Sequence, residues 1–293
     1  MPQTINTNII SLNAQRSLNG SQAALATSMQ RLSSGLRVNS AKDDAAGMAI
    51  AERMGAQARG MNVAIRNAND GISLAQTAEG ALSKVSDSLQ RMRELSVQSV
   101  NATNSVSDQQ SLDKEFGELA KEIQRVLGST SFNGLKVLGS SAGALSFQVG
   151  ANTSSSDTIS ITTTDMTTEA TMVAVAGGDN AGIGRATIGP DAGATATLDA
   201  TAVQGVIDKI DKAIDTVNTQ RATLGASQSR FGAAVSNLQT AVENQTASRS
   251  RIIDTDFAAE TANLSRANIL QQAGNAMVAQ ANQLPQQVLQ LLR

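Results

Sequence analysis

Apolar residues recur at alternating spacings of three and four along most of the first 126 positions. This spacing places them on one face of an α-helix and is typical of a coiled-coil seam. The first run contains Ile5, Ile9, Leu12, Leu25, Met29, Leu32 and Leu36. Two further runs extend from Met54 to Met92, with one slip in register, and from Leu112 to Val126. We therefore predict three helices, the middle one from about Asp44 to Ser99.

Polar segments separate these predicted helices. Ser33-Ser34-Gly35 and Asn39-Ser40 interrupt the first two helices. Asp43 and Asp44 then place carboxylates where a helix dipole favours them. Together with Glu52 they offer too few oxygen ligands for a hard cation, so capping is the better explanation. Asp108 is expected to cap the third helix in the same way.

The period changes from 3.6 to 2 after Val126. Leu135 and Val137 alternate with polar neighbours after a turn, and the same alternation returns around Phe147 and Ile161. We predict short strands that form β-hairpins. Residues 151–200 stand apart, because 31 of these 50 residues are Ala, Gly, Ser or Thr. With few large apolar side chains, this segment is expected to be a loosely structured surface insert with a strand or two.

Helical spacing resumes in the last third of the chain. One run extends from Val203 to Ile252, and a last segment from Phe257 to Leu292. Each helical half needs a partner to cover its apolar stripe. The simplest arrangement is an antiparallel return. We therefore predict a mainly α fold, a long antiparallel helical and coiled-coil rod with a small β-hairpin region and with the two termini paired at one end.

The composition of the chain excludes several kinds of catalytic and metal-binding site. The chain has no Cys, His, Trp or Tyr, and its net charge is −2. Disulfides, thiolate or imidazole metal sites and Ser-His or Cys-His nucleophile pairs are thereby excluded. No segment is basic enough to bind a phosphate backbone. The sequence contains no run of eighteen apolar residues, so it predicts no membrane span. The N-terminus lacks the pattern of a secretory signal. We expect no enzyme activity, no cofactor and no metal.

The two terminal segments, 1–40 and 255–293, carry little charge. Arg266 is the single charged residue in positions 262–292. Ala, Gln and Leu on nearly every face indicate a helix surrounded by other helices. One chain supplies only two such segments, so the remaining neighbours are expected to be other copies. The residues expected to form this self-assembly core are Ile5, Ile9, Leu12, Leu25, Met29, Leu32, Leu264, Met277, Leu284, Val288, Leu291 and Leu292.

An ordered series of motifs resembles the bacterial flagellins. The N-terminal half contains INTN at 5–8, AQR at 14–16, LSSGLRVNSAKDDAAG at 32–47, AIRNANDGIS at 64–73 and LQRMRELSVQ at 89–98. The C-terminal half contains SRSRIIDTDFAAE at 248–260 and LQLLR at 289–293. The resemblance covers about 1–150 and 203–293.

The resemblance implies a subunit of the flagellar filament that self-assembles into a helical homopolymer. It implies a coiled-coil inner-tube domain (1–40 and 255–293), a helical rod domain with β-hairpins (41–150 and 201–254) and a short variable insert (151–200). It also implies an extracellular location, reached through the flagellar export apparatus without a cleaved signal. The expected partners are a cytoplasmic chaperone and the filament cap and hook-junction proteins. A hook–filament junction protein is the alternative within this group.

The same resemblance implies contact with the host flagellin-sensing Toll-like receptor. The residues concerned are Arg91, Leu95 and Glu115. An Arg beside an apolar anchor is a common arrangement at binding hot spots. The alternative is that Arg91 and Glu115 are solvated charges and that Leu95 contacts a neighbouring subunit.

Overall fold

The computed structural model describes residues 7–191 and 196–291, except the side chains of 284–291. Its helices are α1 (Ile9–Ser34), α2 (Ala45–Ser99), α3 (Val106–Ser129), α4 (Ala170–Ala176), α5 (Ala200–Ile253) and α6 (Phe257–Leu291). Its strands are β1 (Ser131–Phe132), β2 (Leu135–Lys136), β3 (Ala144–Gln148) and β4 (Thr158–Thr162). The mainly α fold is confirmed, and the predicted middle helix corresponds to α2 within one residue.

Local side-chain hydrogen bonds explain where α1 and α2 begin. The Asn8 side chain accepts from the backbone N–H of Ser11, and Gly35 ends α1 in the left-handed region with φ 70°. Asp44 Oδ1 accepts from Gly47 N at 2.8 Å, which confirms its capping role. Asp43 instead closes the preceding turn by accepting from Ser40, whose hydroxyl lowers the pKa of this carboxyl.

The third helix begins with a reciprocal capping box. The N-cap residue is Ser105, so the expectation that Asp108 would be the cap is wrong. Asp108 lies at the third helical position, and its carboxylate accepts from the backbone N–H and the hydroxyl of Ser105. These bonds lower the pKa of Asp108, and the Ser105 hydroxyl contributes most. A Ser followed three residues later by an acceptor is a known start signal.

Two antiparallel hairpins confirm the predicted strands. The turn between β1 and β2 contains Asn133 and Gly134, with φ 48° and 82°. Positive φ at both central residues is the geometry that Asn-Gly favours in two-residue hairpin turns. In the second hairpin, β3 pairs with β4 from Ala144–Thr162 to Gln148–Thr158.

The chain divides into two compact units. The first contains the residues up to 58 and from 243 onward, and the second contains residues 59–242. The expected boundaries at residues 40 and 255 therefore lie inside the first unit. They do so because the start of α2 and the end of α5 share a small core there, in which Val38, Ala51 and Ile253 are buried.

The core of the second unit joins the apolar stripes of three helices. Leu82, Leu89 and Met92 of α2 are fully buried with Phe116 and Ile123 of α3. The α5 stripe contributes Val203, Ile210, Val217, Leu224 and Phe231. Its Phe231 ring packs edge-on against Phe147 of β3, with the centroids 5.6 Å apart.

Several side chains between residues 158 and 188 also belong to this core, so the expectation of a loosely structured insert that buries little surface is wrong. Met166, Met172, Val175 and Ile188 are each 0% exposed. Most of the few large apolar side chains of the segment enter the core, whereas Ile183 is 72% exposed. A count of small residues therefore underestimated what the segment buries.

Polar groups of α3 hold this segment in place. Arg185 forms a two-point ion pair with Asp113, at 2.6 and 3.0 Å, and Asp113 also accepts from Ile188 N at 2.9 Å. The Arg185 guanidinium lies 5.9 Å from the ring centroid of Phe116. Farther along, the Gln109 side chain accepts from Leu198 N at 2.9 Å. The segment is thus anchored along one side of α3.

We predict that Asp113→Ala lowers the free energy of unfolding by about 3 kcal/mol, since it leaves the largely buried Arg185 unpaired. The matched control is Glu122→Ala, on the same helix. Glu122 also pairs with an arginine, Arg125, but both side chains are about half exposed. Loss of this exposed pair is expected to change the free energy by less than about 1 kcal/mol. Urea denaturation of the three proteins measures the difference, and equal losses in the two variants would contradict the anchoring role.

Candidate self-assembly surface of the terminal helices

Helices α1 and α6 pack side by side and antiparallel. At one end, Asn8 Nδ2 donates to Ala281 O and Ser11 Oγ donates to Asn282 Oδ1, each at 2.7 Å. At the other end, Arg31 Nη1 lies 3.8 Å from Glu260 Oε2. This pairing confirms the prediction that the chain returns antiparallel and brings its terminal helices together.

The seam between these helices follows strict spacings of three and four. On α1 the covered positions are Ser11, Ala14, Leu18, Ser21, Leu25, Ser28 and Leu32, and on α6 they are Glu260, Leu264, Ala267, Gln271, Gly274, Val278 and Ala281. Small or polar side chains occupy most of these positions. A Cβ atom at Gly274 would lie 3.1 Å from Leu18 Cδ1, so glycine allows Leu18 to pack directly against the α6 backbone.

Many large apolar side chains point away from this seam. Among the side chains that the structure describes on α1 and α6, eight are between 51% and 68% exposed, namely Ile9, Ile10, Leu12, Met29, Phe257, Ile269, Leu270 and Met277. Five of the fourteen seam positions are Leu or Val, and the other nine are small or polar. An ordinary two-helix pair buries most of its large apolar residues. The terminal pair leaves more of them exposed than it covers, and this exposed set is called the outer apolar surface below.

The residues expected to form an assembly core fall into three groups. Ile9, Leu12, Met29 and Met277 lie on the outer apolar surface. Leu25, Leu32 and Leu264 are half-buried in the seam. Ile5 and Leu292, and the side chains of Leu284, Val288 and Leu291, lie outside the described residues.

Four residues of the outer apolar surface were missing from the sequence-based set. They are Ile10, Phe257, Ile269 and Leu270. The sequence shows that both terminal helices carry excess apolar residues. It does not show which of the two stripes meets the other helix of the same chain, because that choice depends on the size of the seam residues.

The connectors that precede α2 and α6 bond to each other within the first unit. Thr255 N donates to Gly35 O at 2.9 Å, and Arg37 N donates to Ile253 O at 2.7 Å. The Arg37 guanidinium also donates to Ile252 O near the end of α5. These bonds hold the C-terminal end of α1 beside the N-terminal end of α6.

The expected receptor-contact residues are only partly at the surface. Arg91 and Glu115 are about half exposed and pair at 2.8 Å across α2 and α3. Hydrogen bonds to Glu94 and then Glu115 raise the pKa of Arg91. Leu95 is 1% exposed and lies in the core, so the expected apolar anchor beside Arg91 is not available to a partner. The periodic stripe Leu82, Val85, Leu89, Met92 already pointed to this burial.

Two negative findings concern the described residues alone. Across 7–191 and 196–291, no group of three or more Cys, His, Asp or Glu side chains is arranged to hold a metal ion. Within the same ranges, no helix is both long and apolar enough to cross a membrane.

The long helices and the absence, among the described residues, of a metal-binding cluster indicate a structural protein. Two family models match the chain. The model of the bacterial flagellin N-terminal helical region matches residues 5–143, and the model of the bacterial flagellin C-terminal helical region matches residues 207–292. The flagellin of Halalkalibacterium halodurans is 45% identical over 289 residues, which cover 99% of both chains. That of Xenorhabdus nematophila is 44% identical over 315 aligned residues, which cover both chains completely. The chain belongs to the bacterial flagellin family.

The crystal structure of Bacillus cereus flagellin is also similar. It is 29% identical, with a TM-score of 0.47, over 59% of this chain and 88% of that chain. Flagellins are structural proteins that polymerise into the extracellular flagellar filament, and this chain is such a filament subunit. The alternative of a hook–filament junction protein is not better supported.

We predict that Gly274→Leu raises the critical concentration for filament growth by about tenfold or more. The added side chain would separate α6 from Leu18, and overpacking of this kind typically costs about 1–3 kcal/mol. Gly205→Leu is the matched control, because a Cβ atom at this helical glycine meets nothing within 4 Å and the residue lies on α5, outside the terminal helices. Sedimentation of seeded filaments measures both. A normal critical concentration for Gly274→Leu would contradict the close packing of the seam.

Proposed function

We propose that this flagellin polymerises by burying the outer apolar surface of α1 and α6 against the terminal helices of other copies. The single observation that carries the proposal is that this helix pair leaves eight of its described large apolar side chains exposed, while small or polar residues fill most of its seam. A soluble monomer gains nothing from eight large apolar side chains facing water. A helical polymer covers them.

Burial of this surface would supply a large part of the free energy that assembly needs. Complete burial of a Leu, Ile, Met or Phe side chain contributes about 1.5–3 kcal/mol. The eight residues are already partly covered, so roughly 10 kcal/mol per copy remains before the entropy of association is subtracted. Addition of a subunit at micromolar concentration needs about 8 kcal/mol net. Contacts outside the terminal helices would contribute the remainder.

The scarcity of charge supports the same assignment. Helix α1 carries only Arg16 and Arg31, and Arg266 is the only charge in positions 262–292. Burial of charged groups between helices would require a partner for each of them. The terminal helices have few charges to pair, so they can be surrounded by copies of themselves.

This assignment gives each part of the chain a place in the filament. Residues 1–40 and 255–293 would form the inner tube of the filament. Residues 41–150 and 201–254 would form the helical layer around it. Residues 151–200 would face outward as a short insert, although their large apolar side chains are buried against α3 and α5.

Other aspects of the proposal rest on family membership and composition. The protein would perform no catalysis, since it lacks Cys and His. It would leave the cell through the flagellar export apparatus without a cleaved signal, after binding a cytoplasmic chaperone. In the filament it would meet the cap and hook-junction proteins. Arg91 and Glu115 would be exposed for a host Toll-like receptor on the dissociated subunit.

We predict that Ile269→Asp stops the elongation of filament seeds, because it places a charge on a surface that becomes buried. Ile183→Asp is the matched control. Both isoleucines are highly exposed, 64% for Ile269 and 72% for Ile183, but Ile183 lies in the insert. The Ile183 variant is expected to elongate seeds at the rate of the unmodified protein.

Negative-stain electron microscopy of seeded reactions measures the filament length of the three proteins. Circular dichroism provides the check that both variants remain folded, which is expected because neither side chain is in a core. Normal elongation by Ile269→Asp, or equal inhibition by both variants, would contradict the assignment to the terminal helices.

A further inference from the structure

The small residues of the seam repeat every seven positions along α6. Ala267, Gly274 and Ala281 occupy the same heptad position, and Leu18 packs against Gly274. If α6 moved by one heptad, Leu18 would meet Ala267 or Ala281 instead. Both are small residues. Packing of small residues alone therefore distinguishes weakly between neighbouring registers.

Glu260 occupies the same heptad position one repeat earlier and interrupts this series. It is only 6% exposed, although it is a carboxylate, and the one other charged residue covered along the described seam is Arg31. Its cation partner is Arg31, at 3.8 Å on the neighbouring helix. Arg31 lies at the edge of the seam, with a side chain that is 32% exposed.

We propose that Glu260 is a positioning residue that sets the register of the α1–α6 pair, through its ion pair with Arg31. A shift of one heptad would place the Glu260 carboxylate near Ala24 and Leu25. The next cation of α1, Arg16, would then lie about 12 Å farther along the helix axis. A carboxylate left without a partner in the seam is strongly unfavourable. The register in which Leu18 meets Ala267 is thereby disfavoured.

This interpretation gives a reason for the buried charge of Glu260, for which a stabilising effect alone gives none. Replacement of a buried ion pair by apolar residues is often neutral or stabilising. Single polar residues in coiled-coil seams, in contrast, specify register at a cost in stability. A leucine at position 260 would continue the apolar pattern of the seam, and the connector bonds of Thr255 N and Arg37 N would then be the main remaining restraint on the register.

The register of the α1–α6 pair matters because it sets the shape of the outer apolar surface, so this proposal rests on the proposed function. One heptad corresponds to about 10 Å along the helix. A shift of that size would move Ile269 and Met277 relative to Ile9 and Met29, so the outer apolar surface would no longer be the same on every copy. A helical polymer is built from identical subunits, so subunits in the shifted register would enter filaments as defects.

Disulfide trapping in filaments can report the register, because the chain has no cysteine of its own. The Ser11→Cys/Asn282→Cys pair reports the observed register, since these two side chains are 2.7 Å apart. The Ser11→Cys/Asn275→Cys pair reports a shift of one heptad and replaces the same residue types. In the protein that retains Glu260, we expect the 11–282 pair to cross-link and the 11–275 pair to cross-link no more than a randomly placed cysteine pair.

In the Glu260→Leu background, we expect cross-linking of the 11–275 pair to rise at least about tenfold. Filaments of this variant that give only the 11–282 cross-link would overturn the proposal. If Glu260→Leu forms no filaments, the exchanged pair Arg31→Glu/Glu260→Arg decides. Recovery of filaments with the 11–282 cross-link, together with failure of each single exchange, supports the proposal, and no recovery overturns it.

The experiment separates this proposal from the proposed function. If the cysteine-bearing parent with Glu260 grows no filaments from seeds, the assembly role of the terminal helices fails and the register proposal fails with it. If that parent grows filaments but the cross-links do not depend on residue 260, only the register proposal fails.

Discussion

The close contact between α1 and α6 is the constraint on which assembly depends. Their seam is built from Ser, Ala, Gly and a few Leu side chains, so the two helices approach closely while burying little apolar area. The large apolar residues Ile9, Ile269 and Met277 consequently remain exposed. The monomer thus contains a pair of helices whose burial is incomplete. In the proposed filament, other copies of the same pair would supply the missing surface, which would link the choice of seam residues to the formation of a polymer.

The second unit follows the usual logic of a globular core. Its helices bury large side chains such as Leu89, Phe116 and Phe231, and its insert is fixed by the Asp113–Arg185 ion pair. This unit does not depend on other copies for its core. The two units therefore differ in burial: the second has a core within one chain, and we propose that assembly completes the burial of the first.

Much of the fold could be predicted from the sequence. Periodicity located α2 almost to the residue, and alternation located β3 and β4, because each pattern reflects burial on one face of its element. The insert could not be predicted in this way. Composition averages over many small residues, whereas Met172 and Ile188 are buried individually. Leu95, at the candidate receptor site, could not be judged from the resemblance either. The resemblance implied that Leu95 contacts a receptor, but its side chain lies in the core with the apolar stripe of α2. The outer apolar surface required the structure, since sequence does not reveal which stripe faces the partner helix.

The central claim is that the outer apolar surface contacts other copies in the filament. Its most direct test is a helical reconstruction, by electron cryo-microscopy, of filaments grown from the full chain. We expect the side chains of Ile9, Ile269 and Met277 to lie within about 4.5 Å of apolar atoms of another copy. A filament in which α1 and α6 leave these side chains facing solvent would contradict the claim.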